Sequence, residues 1–85
     1  MSKVEKIREK VLSSNNDKNI FFDDLRLLLK NYDFEERIKG SHHIFTKNEV
    51  DEILNLQPRG KQAKPYQLKQ VRDVIVKYKL GDKDE

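Results

Sequence analysis

The sequence predicts an α+β domain: a three-stranded antiparallel meander with helices laid over one face. Three observations predict it. Apolar residues recur at helical spacing in residues 4–12, 22–29 and 68–78. Between the second and third of these segments the period changes to two. The turns inside that stretch are too short for a crossover, so its strands must run antiparallel.

The first helix is expected over residues 2–13. Ser2-Lys3-Val4-Glu5 has capping-box spacing, and Val4, Ile7 and Val11 follow on one stripe. Residues 13–17 (SSNND) are turn and cap formers and end it. A second helix starts near Phe21 or Phe22. Asp23 and Asp24 sit in its first turn and Lys30 near its end, as the helix dipole favours. Phe22, Leu25, Leu28 and Leu29 form its apolar face.

After Tyr32 the alternation begins. Phe34, Glu36 and Ile38 point one way, and Glu35 and Arg37 the other. Gly40-Ser41 turns the chain, residues 42–46 form a second strand, and Lys47-Asn48-Glu49 leads into a third over residues 50–56. Residues 57–64 hold proline, glycine and polar side chains and form a loop. Pro65 suits the first turn of a last helix, along which Leu68, Val71, Ile75 and Tyr78 repeat, with Gly81 as its stop.

A chain of 85 residues is expected to be one domain with a thin core. The organisation read from it is a helical extension over residues 1–19, the main domain over 20–81 and a tail over 82–85. Charged residues make up 39% and the mean hydropathy is −0.92, yet the apolar residues are periodic, which argues against disorder. Cysteine is absent, so disulfide staples and thiolate metal sites are excluded. The first ten residues carry charges where a signal peptide needs an apolar run, and no segment has the length of a membrane span. The simplest expectation is a soluble, cytoplasmic protein with no membrane association.

The net charge of +3 is mild, but its distribution is not. Across residues 57–80 stand Arg59, Lys61, Lys64, Lys69, Arg72, Lys77 and Lys79, against one acid, Asp73. Such an excess favours a phosphate-rich partner. A solvated basic helix face explains a charge run equally simply.

Both histidines are adjacent, at His42 and His43. Histidine exchanges a proton near neutral pH. Neighbours on a strand face opposite ways, so the two are not expected to chelate one metal. If Phe45 faces the helices, His43 shares that side and His42 shares the open side with Ile44. A histidine merely packed at a strand start remains the alternative to a catalytic one. No serine–histidine–acid pattern and no glycine-rich phosphate loop occurs. The acidic pairs Asp23-Asp24, Glu35-Glu36 and Asp51-Glu52 read as solvated faces and helix starts rather than metal ligands. RNA offers chemistry that one histidine can serve, because its 2′-hydroxyl is a nucleophile beside the scissile phosphate. A base need only remove that proton, while lysine or arginine steadies the phosphate.

Residues 34–45 (FEERIKGSHHIF) resemble the HicA toxins. The family signature is a glycine, a small residue and a histidine opening a strand, with an aromatic three positions on: here Gly40, Ser41, His42 and Phe45. Residues 64–72 (KPYQLKQVR) are similar to the family's last helix, reached through a basic loop. With the second helix the resemblance covers roughly residues 20–80. It implies a fold like the double-stranded RNA-binding domain, with a three-stranded antiparallel sheet and two flanking helices. Here an extra N-terminal helix is added. It also implies an endoribonuclease that cleaves mRNA without metal or cofactor, and a HicB-type antitoxin that blocks its histidine. The catalytic position maps onto His42, with His43 as runner-up.

The expected RNA contacts are Lys39, Ser41, Arg59, Lys61 and Lys64, with Lys69 and Arg72 on the last helix as further candidates. The sequence departs from the family in its first helix, in its short Lys47-Asn48-Glu49 turn and in the acidic Val50-Asp51-Glu52. The first helix is expected to cover the sheet, extend a dimer interface or widen the antitoxin contact. A non-catalytic RNA-binding module and a protein-interaction domain remain alternatives to the nuclease.

Overall fold

The computed structural model describes residues 2–13 and 20–82. Most of the turn expected after the first helix, residues 14–17, and the tail beyond residue 82 lie outside the described residues. The described elements run α1 (Lys3–Leu12), α2 (Phe22–Asn31), β1 (Glu35–Lys39), β2 (His42–Lys47), β3 (Val50–Leu56) and α3 (Pro65–Tyr78). This is the α+β class expected, with boundaries within a residue or two of those read from the periodicity.

Local chemistry explains each element. The Ser2 hydroxyl accepts the Glu5 backbone N–H at 3.2 Å, which caps α1. Asp33 takes a left-handed conformation (φ 70°) and swings the chain out of α2 into β1. Pro65 opens α3, as expected. The stop of α3 differs from expectation: Lys79, not Gly81, is its left-handed cap, at φ 54°. Gly81 serves a different need. It also has positive φ, and a Cβ there would sit 2.5 Å from the buried Tyr32 hydroxyl oxygen.

The sheet order is β1-β2-β3, all antiparallel. Glu36 pairs with Phe45, Ile38 with His43 and Lys39 with His42. On the other side of β2, Phe45 pairs with Leu54 and His43 with Leu56. This register sets one face of β2 and β3 against the helices. Phe45, Leu54 and Leu56 are buried there with Leu25, Leu28, Leu68, Val71 and Ile75. Each such side chain contributes roughly 1.5–3 kcal/mol relative to exposure. The opposite face carries Arg37, Lys39, His42, Ile44, Ile53 and Asn55, and no helix covers His42 there.

The first helix packs against α2 and α3, so the His42 face stays open. Ile7 and Val11 of α1 are buried in the same core as Leu25 and Val71. Two arginines clasp it. Arg72 Nε donates to the Val11 carbonyl at 2.8 Å. Arg8 donates to the Leu80 carbonyl at 3.3 Å and pairs with Asp82 at 2.7 Å.

Candidate functional site

The two histidines stand on opposite faces of β2, as strand geometry demands. Phe45 is fully buried against the helices, so His43 shares the covered side and His42 the open side. Their surroundings differ accordingly.

His42 is exposed at the start of β2. Its Nδ1 lies 3.1 Å from the side-chain oxygen of Asn55 on β3. An amide oxygen only accepts, so in the neutral ring this contact puts the proton on Nδ1 and leaves the lone pair on Nε2. The ring is thus oriented with its basic nitrogen left for a substrate. Lys39 is its register partner on β1 and shares its face. Ser41, one residue earlier, accepts a 2.9 Å hydrogen bond from the Gln57 side-chain amide, which fastens the β1–β2 turn to the end of β3.

His43 has a side chain only 13% exposed. Its Nδ1 lies 2.8 Å from Glu36 Oε2. The Phe22 ring meets it edge-on, with centroids 4.9 Å apart. Glu36 is itself gripped by Arg26 of α2 through a two-pronged contact, Nε at 2.7 Å and Nη2 at 3.1 Å. The Arg26 guanidinium holds the Glu36 carboxyl below its usual value; burial opposes the shift and His43 reinforces it. Glu36 corrects the reading of Glu35-Glu36 as a solvated pair, since its side chain is 3% exposed. The signal was present in the alternation, which set Glu36 on the same side as Phe34 and Ile38.

The remaining candidates separate into two groups. Arg59, Lys61 and Lys64 lie on the loop between β3 and α3, next along the chain from Gln57. That loop is braced by reciprocal backbone bonds between Arg59 and Gln62 at 2.8 and 3.0 Å. Lys69 and Arg72 lie on α3 and are engaged elsewhere. Lys69 pairs with Asp73 at 3.1 Å, and Arg72 holds α1. Sequence reasoning missed Asn55, Gln57 and Arg26, which carry no motif and act through tertiary neighbours.

Among the described residues no group of three or more His, Cys, Asp or Glu side chains is placed to hold a metal ion. No described helix is long and apolar enough to cross a membrane. No curated protein and no solved structure gives a significant match to the chain. The family model for the HicA toxin of bacterial toxin–antitoxin systems matches residues 22–79, which takes in α2, the whole sheet, both histidines and α3. With more than half of its length matched, the chain belongs to the HicA toxin family of bacterial toxin–antitoxin systems.

Proposed function

We propose that this toxin is an endoribonuclease that cleaves mRNA with His42 as its general base. The observation that carries the reading is the exposed His42 ring, oriented through Nδ1 by Asn55 and flanked by Lys39. Nε2 takes the proton of a ribose 2′-hydroxyl. The 2′-oxygen attacks the adjacent phosphorus, the bond from phosphorus to the 5′-oxygen breaks, and that oxygen takes a proton from water, while His42 returns its own proton to solvent. The products are a 2′,3′-cyclic phosphate and a 5′-hydroxyl. Lys39 and the loop residues Arg59, Lys61 and Lys64 offset the charge that grows on the phosphate, and Ser41 lines the approach. These steps require no metal or cofactor. DNA lacks the 2′-hydroxyl and resists them.

The partners that follow are mRNA as substrate and a HicB-type antitoxin that covers the open sheet face and occludes His42. Paired expression of the wild type and His42→Ala tests the reading, with RNA integrity as the readout. Cleavage is expected to fall about 10²–10⁴-fold, the share general acid–base catalysis supplies. A fully active alanine variant refutes it.

One observation favours a second assignment. His43 has a carboxylate partner at 2.8 Å, an arrangement that also serves to orient a base. The two assignments differ in what His43→Ala does. With His42 as the base, that variant keeps its RNA cleavage and loses stability. With His43 as the base, cleavage disappears at unchanged His42.

A further inference from the structure

A groove of about 530 Å³ lies between the start of α2 and the β3–α3 loop. Its walls include Phe21, Asp23, Arg26, His43, Pro58 and Lys61. That volume falls in the range of small-ligand clefts.

Phe21 is the unusual member. Phe22 turns into the core, but Phe21 is 54% exposed. Its backbone is nevertheless fixed. Phe21 and Gln62 form an isolated antiparallel bridge, the Phe22 N–H donates to the Lys61 carbonyl at 2.9 Å, and the Ala63 N–H donates to the Ile20 carbonyl at 2.9 Å. An aromatic ring is thus held at the surface by a rigid frame, beside a lysine that makes no ion pair among the described residues. Exposed rings next to cations serve as stacking platforms for single-stranded nucleic acid, since every base has a π-face.

The acids in the wall narrow the ligand further. Asp23 has a side chain 87% exposed and touches Arg26 at 3.3 Å, while Asp24 leans toward Lys3 at 3.7 Å. A carboxylate repels phosphate but accepts hydrogen bonds from a base edge. Guanine presents two adjacent N–H donors, at N1 and N2, that suit the two oxygens of one carboxylate. We infer that this groove is a subsite for an unpaired guanine of RNA, stacked on Phe21, read by Asp23 and anchored through its phosphate by Lys61. In a duplex that base edge is already paired, so single strands are required.

The inference rests on the ribonuclease reading for its place in the reaction. The Ser41–Gln57 hydrogen bond joins the turn beside His42 to the end of β3, and Pro58, the next residue, already lines the groove. The groove opens on the His43 side, so a strand held at His42 reaches it by passing round this corner, and the groove takes a nucleotide further along that strand.

The test uses full-length His42→Ala protein, so that binding is measured without cleavage. Its probes are short single-stranded RNAs of uridine with one central guanosine or one central adenosine. The guanosine probe is expected to bind 5–10-fold more tightly. Adding Phe21→Ala or Phe21→Leu is expected to weaken it about tenfold, while Phe21→Tyr retains it; circular dichroism checks that each variant is folded. Asp23→Asn is expected to abolish the preference for guanosine. Equal affinity for the two probes, undiminished binding by folded Phe21→Leu, or no RNA binding at all overturns the subsite. Phe21-dependent guanosine binding by a wild type that never cleaves RNA leaves the subsite standing and refutes the nuclease.

Discussion

His42 and His43 differ by one position in the chain and by a whole sheet in space. The first is exposed and touches a neutral amide. The second is nearly enclosed and belongs to a network with Glu36 and Arg26. The contrast teaches that identical side chains take their chemistry from the face they occupy. On the open face a ring keeps a nitrogen for a substrate. On the covered face the same ring ties β2 to β1 and, through Glu36, to α2.

Substitution at the two faces breaks this contrast in opposite ways. The largest expected effect is on chemistry: His42→Ala lowers RNA cleavage about 10²–10⁴-fold and leaves the thermal midpoint unchanged, as gel assays and calorimetry check. Next comes stability on the covered face. Glu36→Ala strips Arg26 and His43 of a shared partner and is expected to cost roughly 2–3 kcal/mol. That is at or below the low end for fully buried pairs, because the Arg26 side chain is one-third exposed. Urea unfolding measures it, and a loss under about 0.5 kcal/mol contradicts the role given to the network.

Smaller effects sharpen the comparison. Asn55→Ala frees the His42 ring to rotate and is expected to lower cleavage about tenfold, some 1.4 kcal/mol, without changing stability. The smallest concerns pH. Glu36 is held below its usual value by Arg26, so its contribution is complete above the carboxylate range of the unfolded chain. It is lost as pH falls through the lower folded value. Glu36→Gln is therefore expected to flatten the acid limb of a stability–pH curve; a curve identical to wild type argues against it.

The sequence made the framework legible because its signals are local. Period 3.6 gave the three helices, period two gave the strands, and Ser2 and Pro65 marked helix starts. Parity along β2 also separated the two histidines by face once Phe45 was assigned inward. What stayed hidden depends on residues far apart in the chain. Glu36 looked like one half of a surface pair, since nothing near it announced Arg26. Arg72 read as one more cation of a basic helix, whereas its Nε is spent on a carbonyl 61 residues earlier. Asn55 carries no mark in the sequence, and only the strand register sets it diagonal to His42. The stop of α3 was misread because glycine is the usual left-handed residue. Here lysine takes that conformation, and glycine is reserved for the close approach to Tyr32.

The clasp on α1 bears on how the molecule is made. Arg8 reaches residues 72 and 74 positions ahead of it, and Arg72 reaches back to Val11. Helix α1 therefore leaves the ribosome well before α3, and in that interval it has only α2 to pack against. A chain still emerging from the ribosome holds β1, β2 and both histidines before α3 arrives to lock α1 and bury Val11. Closure of the described fold thus waits on the contacts between α1 and α3, after the sheet that carries both histidines has already been made.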